Sequence, residues 1–295
     1  MNKIMVVRPA GKENENYLEQ NLQGFLDQGL EVEYEELPFS EWPYASSTPE
    51  NRFEQLKNAL LGSFDAIICA RGGYGASDLL DFLTPDLVQS AKNLSFTGFS
   101  DISALHSYIY KHANLSNQNL KLIHGPMPST ALWDFNSKDV KLLLDCIFVG
   151  RPPKEVELTL TQLTCGISEK KIAGKLFGGC FSVLTNLIGT NHLPDLNGHI
   201  LFFEDIGEHP ARIMRYFNQW IQSGILKDAK AIVMGYFKGL GEGIEDNSEM
   251  FLKEFSKRSP IPVWHTKEFG HISDNCPLPI GEIASISNNK LIYNL

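Results

Sequence analysis

The sequence predicts an α/β protein of two domains, with a parallel sheet covered on both faces in its first half. Three observations carry that prediction. Short, continuous apolar runs recur at 3–7, 65–70, 94–99 and 120–123. The stretches between them place apolar residues at helical spacing, and strands buried on both faces alternating with amphipathic helices are the pattern of a parallel sheet. Gly150-Arg151-Pro152-Pro153 then stops any regular element, and the chain beyond it changes texture. The boundaries expected are a first α/β domain over 1–150, a linker over 151–164 and a second domain over 165–295.

The elements follow in order. Residues 3–7 form a first strand, closed by Pro9 and Gly11. Tyr17, Leu18, Leu22, Phe25 and Leu26 share a helical face within 16–28, and Gly29 ends that helix. Residues 30–37 alternate polar and apolar, as a half-exposed strand does. Thr48-Pro49 is a helix start, with a capping residue followed by proline at the first helical position. A short helix is expected over 76–83, one from near Asp101, and one over 137–148. In the second half, 155–160 alternates. Residues 175–190 are glycine-rich and then apolar at helical spacing. Residues 198–204 and 229–236 read as buried strands, 210–223 as an amphipathic helix and 263–269 as an alternating strand. The tail, 281–295, reads as a hairpin around Asn288-Asn289. The second domain is therefore expected to be mixed and strand-rich.

Composition narrows the function. The 295 residues are 43% hydrophobic and 21% charged, the balance of an ordinary protein with a sizeable core. The net charge of −9 and the absence of a basic stripe argue against nucleic acid as a partner. No apolar run approaches the roughly 18 residues of a membrane span, and the apolar start is too short for a secretory signal. The five cysteines, at 69, 146, 165, 180 and 276, are odd in number and form no C-x-x-C pair. Neither a disulfide framework nor a zinc site is expected, and a reducing cytoplasm is favoured.

In parallel sheets, sites lie beyond the carboxyl ends of the strands. Three unusual turns fall there: Arg71-Gly72-Gly73-Tyr74-Gly75, Gly98-Phe99-Ser100-Asp101 and His124-Gly125-Pro126-Met127. Ser100 stands where strand becomes helix. That placement suits either a nucleophile with the Asp101 N–H beside it or a simple helix cap. The Gly72-Gly73 turn is either half of an oxyanion hole or an ordinary tight turn. Arg71 is a candidate for holding a substrate carboxylate, and His124 for a pocket wall. Glu204 ends the apolar run 200–203, where a carboxylate is costly to bury unless paired; Arg212 or Arg215 could supply a structural ion pair. His271 lies in a loop after the 263–269 strand, and could be surface or base. The residues alone leave these alternatives open. They also leave open a non-catalytic protein that clamps a small anionic ligand.

Five blocks, in order along the chain, resemble the signatures of LD-carboxypeptidases, serine peptidases that trim D-alanine from murein peptides. They are R-G-G-Y-G-A at 71–76, G-F-S-D-I-S-A-L-H at 98–106, H-G-P-M at 124–127, F-E-D-I-G-E at 203–208 and G-H-x-x-x-N-x-x-L-P-x-G at 270–281. The resemblance implies a Ser100, Glu204, His271 triad; around it the expected oxyanion donors are the backbone N–H groups of Asp101 and one of Gly72 or Gly73, and the expected substrate contacts are Arg71, Tyr74 and His124. It implies a flavodoxin-like first domain, a smaller β-rich second domain and an active site between them. It further implies a homodimer and no cofactor or metal. The sequence departs from the family pattern at Arg8, which could alter what the site admits, and at Cys180, where asparagine is usual. The microcin-immunity peptidases, a sister group that hydrolyses aminoacyl-nucleotide amides, look less similar because they generally lack the Arg-Gly-Gly-Tyr-Gly block.

Overall fold

The structure, a computed structural model, describes residues 2–164, 171–240 and 248–295. The chain divides into two compact units, Met1–Pro152 and Pro153–Leu295. In the first, β1 (Lys3–Val7), α1 (Glu15–Asp27), β2 (Glu31–Tyr34), α2 (Pro49–Leu61) and β3 (Ala66–Cys69) are followed by a 3-10 turn (Ala76–Leu79) and α3 (Pro85–Ser90). β4 (Leu94–Gly98), a second 3-10 turn (Ser100–Ile102), α4 (Ser103–His112), α5 (Leu115–Gln118), β5 (Leu120–His124) and α6 (Lys138–Cys146) complete it.

The five strands of this unit are parallel and lie in the order β5-β4-β3-β1-β2. That is the doubly wound, flavodoxin-like order, whose direction of winding reverses between β1 and β3. The central strands β3 and β4 are buried throughout because helices cover both faces; Ala66, Ile67, Ile68 and Cys69 of β3 are all fully buried. The helices start where the sequence supplies caps. Asn14, Thr48, Thr84 and Ser137 each accept the amide hydrogen three residues on, opening α1, α2, α3 and α6.

The second unit holds β6 (Glu155–Thr159), β7 (Thr161–Gln162), β8 (Ile172–Cys180), α7 (Phe181–Asn186), β9 (His199–Ile206), α8 (Pro210–Gln222) and β10 (Ala231–Lys238). It ends with α9 (Ser248–Arg258), β11 (Val263–Gly270), β12 (Leu278–Ile280), β13 (Ile283–Ser287) and β14 (Lys290–Asn294). Its eight-stranded sheet runs β6-β14-β13-β8-β9-β10-β11-β7. The middle four strands, β8 to β11, are parallel, and the outer ones pair antiparallel. The stretch 151–164, expected as a linker, thus carries two edge strands, β6 and β7. The short alternation at 155–160 forms a ladder with β14 because both strands bury one face. Asn288 and Asn289 both take positive φ, 49° and 54°, the geometry of a two-residue hairpin turn matched to strand twist.

α8 covers this sheet with Ile213, Phe217 and Trp220, which pack with Phe181 and Phe203. The Trp220 indole N–H is satisfied by Thr185 Oγ1 at 2.8 Å. Cys69, Cys146, Cys180 and Cys276 are buried thiols outside any disulfide, and Cys165 lies outside the described residues. Among the described residues no helix is long and apolar enough to cross a membrane.

Candidate active site

Ser100 lies two residues past the end of β4 and holds φ at +63°. A residue with a Cβ costs about 1–2 kcal/mol in that left-handed conformation, so the surroundings must impose it. Ser100 is not a helix cap. The 3-10 turn it opens has Phe99 before it with no side-chain cap, and α4 begins at Ser103 behind an equally uncapped Ile102. Gly98, the last residue of β4, lets the turn fold close behind the strand, since a Cβ there would press on the Ile102 side chain at 2.9 Å.

The glycine turn lies against this serine. A Cβ added to Gly72 would stand 2.8 Å from Ser100 Cβ, 3.0 Å from its Oγ and 3.3 Å from the Asp101 amide nitrogen. Only glycine allows that approach. The turn is tied to the loop after β1, since the Gly11 N–H donates to Gly72 O at 2.8 Å. Gly11 and Gly72 thus meet at the reversal point between β1 and β3, where the fold opens a crevice for a ligand. Asp101 is buried, its carboxylate accepts the Ala76 N–H at 2.8 Å, and burial pushes its pKa up to about 6.

Arg71 is exposed at the same turn, with one N–H of its guanidinium donated to Lys12 O at 2.8 Å. Tyr74 is 72% exposed. His124 is different from the expectation. It ends β5, pairs with Gly98 across the ladder, sits edge-on to Phe99 and is fully buried, so it backs the serine turn rather than forming an open wall. Arg8 is also buried, in an ion pair with Glu13.

The second unit brings a carboxylate and an imidazole together. Glu204 is completely buried near the end of β9, and His271 follows β11 immediately. The two are brought together, with His271 Nδ1 2.6 Å from Glu204 Oε2. The carboxylate accepts, so Nδ1 carries the hydrogen and the neutral ring presents Nε2 as a base. Burial lowers the His271 pKa, but the Glu204 charge and hydrogen bond outweigh it, and the net shift is upward. The strand ends are shaped for this contact. The β10–β11 register jumps between Met234–His265 and Tyr236–Gly270, a bulge that aims the residue after β11. Gly270 takes φ +131°, and its N–H donates to Asn275 Oδ1 at 3.0 Å. A Cβ on Gly270 would come within 2.8 Å of Tyr236 O.

Glu204 pairs with neither Arg212 nor Arg215; Arg212 is bound to Glu208 instead. The neighbouring Asp205 is buried and accepts the Ser182 amide at 2.7 Å and hydroxyl at 3.2 Å. Burial and the adjacent Glu204 charge push its pKa up to about 7. Cys180 donates toward Asp205 Oδ1 at 3.6 Å, so the departure at this position is absorbed into that cluster. Burial raises its thiol pKa well above the ordinary value, which makes it a poor nucleophile. Sequence reasoning did not reach Asp205, Ser182 or Arg52, a buried guanidinium bonded to the serine-side turn. Among the described residues no group of three or more His, Cys, Asp or Glu side chains is placed to hold a metal ion.

The chain is similar to known proteins over nearly its whole length. The signature described as LD-carboxypeptidase N-terminal domain matches residues 4–119, and that of the LD-carboxypeptidase C-terminal domain matches 173–286. A putative carboxypeptidase of Rickettsia conorii is 30% identical over 294 residues, covering 97% of this chain and 88% of that protein. The crystal structure of muramoyltetrapeptide carboxypeptidase from Oxalobacter formigenes superposes with a TM-score of 0.81 at 27% identity, covering 99% of this chain and 98% of the other. The microcin C7 self-immunity protein in complex with aspartyl sulfamoyl adenosine shares the fold, with a TM-score of 0.82 over 100% of this chain and 96% of the other, at 19% identity.

Proposed function

The chain belongs to the LD-carboxypeptidase family, and within it we propose a serine carboxypeptidase that hydrolyses the amide bond before the C-terminal D-alanine of murein tetrapeptides. The observation that carries the reading is the buried Glu204–His271 contact at 2.6 Å. A protein that only held a ligand would have no use for a base oriented by a fully buried carboxylate, which is expensive to desolvate.

In this reading Ser100 Oγ attacks the carbonyl carbon of the scissile amide. His271 Nε2 takes the hydroxyl proton, and Glu204 fixes the tautomer and stabilises the imidazolium. The carbonyl oxygen becomes an oxyanion held by the N–H of Asp101 and one of Gly72 or Gly73. The tetrahedral adduct collapses as His271 returns the proton to the departing D-alanine nitrogen, leaving an acyl-Ser100. Water, deprotonated by the same imidazole, then releases the tripeptide. Arg71 retains donors beyond the one given to Lys12, and a guanidinium fork suits the free carboxylate of D-alanine. Tyr74, exposed beside it, lies against the peptide. A homodimer in the cytoplasm belongs to the same proposal, and light scattering on the purified protein reads the mass.

The test supplies the purified protein with muramoyl tetrapeptide and, separately, with aspartyl sulfamoyl adenosine. Release of free D-alanine from the first, abolished in Ser100→Ala, is the expected result. Cleavage of the second alone would reassign the substrate to aminoacyl-nucleotide amides with the same triad. D-Alanine release that survives Ser100→Ala would remove the serine from its role.

A further inference from the structure

We infer that Arg52, acting with the Asp101 carboxylate, is a positioning residue that holds the oxyanion turn in its working shape; this rests on the reading of Ser100 and the Gly72-Gly73 turn just given. Arg52 lies in α2, outside every sequence block described above, and is 0% exposed. Its Nε donates to Ser47 O at 3.0 Å. Its Nη1 donates to Pro9 O at 2.7 Å and to Gly75 O at 2.6 Å. Its Nη2 meets Asp78 Oδ2 at 2.8 Å. One guanidinium therefore ties the loop after β1, the start of α2 and the glycine turn after β3.

The contact at Gly75 gives this clamp a consequence for catalysis. The carbonyl of Gly75 and the N–H of Ala76 are the two ends of a single peptide plane. Arg52 binds the oxygen end at 2.6 Å and Asp101 binds the hydrogen end at 2.8 Å. A cation and a carboxylate thus grip one peptide plane from opposite sides, aligned with its dipole. Asp101 is also the residue whose own N–H stands at the serine, so the grip connects both halves of the proposed oxyanion hole.

The turn needs such a hold. Gly73 and Gly75 have φ of +99° and +110°, and glycines in a row have no side chains to fix themselves. Oxyanion donors act only if they are fixed before the charge develops, to within about 0.5 Å. At one end of the turn Gly72 O is held by the Gly11 N–H. At the other end the hold is Arg52 with Asp101. Gly75 is also shaped to the clamp, since a Cβ there would come within 2.8 Å of Arg52 Nη1. An apolar residue at 52 would leave three backbone carbonyls without this donor and the buried Asp101 without its nearby cation.

Three measurements on the full chain test the inference. Arg52→Lys keeps the charge but cannot reach the same set of acceptors. Its kcat for D-alanine release is expected to fall by about 10²–10³, the cost of one oxyanion donor, with KM within about threefold of wild type. A boronate analogue of the tetrahedral adduct is expected to lose affinity in parallel, while the ground-state product tripeptide keeps its own. In Arg52→Ala, guanidinium at sub-denaturing millimolar concentration is expected to restore kcat, and methylammonium is not. Should Arg52→Ala fail to fold, the Arg52→Lys kinetics and boronate affinity decide alone. Arg52→Lys with kcat within threefold of wild type, or with boronate and product affinities lost together, overturns the positioning role. The two readings fail separately. Wild type that releases no D-alanine but is labelled at Ser100 by a fluorophosphonate refutes the substrate, and the labelling rate of Arg52→Lys then reads the oxyanion turn. If neither D-alanine release nor labelling occurs in wild type, the serine mechanism and this inference fall together.

Discussion

Ser100 and His271 each store an unfavourable arrangement that chemistry can use. For Ser100 it is the +63° φ, which makes stability and activity separable. Ser100→Ala keeps the strained backbone and loses the hydroxyl, so D-alanine release should fall by about 10⁴–10⁶. Ser100→Gly loses the hydroxyl too but relieves the strain, and should unfold at higher denaturant than Ser100→Ala, by about 1 kcal/mol. Parallel urea curves measure this, and equal midpoints would show that the position is not strained. For His271 the stored quantity is its upward-shifted pKa. The base is active only when neutral, so kcat/KM should rise with pH through a midpoint above about 6.5, the ordinary histidine value. Stability runs the other way. A raised pKa contributes fully below the unfolded value and is lost as pH climbs through the folded one. Glu204→Gln removes the charge that opposes burial, and the His271 ring, followed by NMR in a Ser100→Ala background, should then titrate below the ordinary value. The strand-end positions of Ser100, Glu204 and His271 were legible in the sequence because each sits in a local block. The burial of Arg8 and His124 was not, because a side chain's partners across 5 or 25 residues leave no mark in the local pattern.

The elements place these residues through close backbone contacts rather than through flexible loops. β8 shows this most plainly. Cys180 pairs with Glu204 across the β8–β9 ladder, so the height of Glu204 depends on how β8 meets β9. Gly178 lies in that ladder beside Phe202, and a Cβ there would overlap the Phe202 carbonyl oxygen. Gly178→Ala must therefore part the strands. We expect a loss of about 1–3 kcal/mol, the usual range for forcing extra volume into a packed interior, together with a fall in kcat as Glu204 shifts from His271. A thermal melt and a single-turnover assay check both effects, and an unchanged kcat would mean that the dyad does not depend on this ladder. The long amphipathic elements, such as α8, announced themselves by period, and the Asn288-Asn289 turn by residue type. The glycine-rich run ending in Cys180 did not read as a nine-residue strand, because glycine is poor in strands unless another backbone comes close. The β10–β11 bulge left no trace in the sequence either, since a register shift belongs to a pair of strands and not to one.

At the scale of the molecule, Ser100 stands in one unit and the Glu204–His271 pair in the other. The two-domain division and the parallel first sheet could be read from alternating texture and the Pro152-Pro153 break. The chain divides at that break, but the stretch after it was expected as linker because short edge strands such as β6 look like linker until β14 pairs with them. If the two units work as one machine, substitutions in them cannot act independently. Ser100→Ala and His271→Ala should each cost about 10⁴–10⁶ in kcat, and the double variant should cost no more than the worse single one, because a base without its nucleophile has nothing to activate. Independent contributions would instead multiply, lowering the double variant by the product of the two losses. The residual rate left by all three variants, which oxyanion donors and substrate binding alone sustain, should be the same within the error of the assay. Measuring D-alanine release for the two single variants and the double variant under one set of conditions therefore asks whether positions 100 and 271 share a transition state. Multiplying losses would assign the serine and the histidine to separate tasks, and with them the two units.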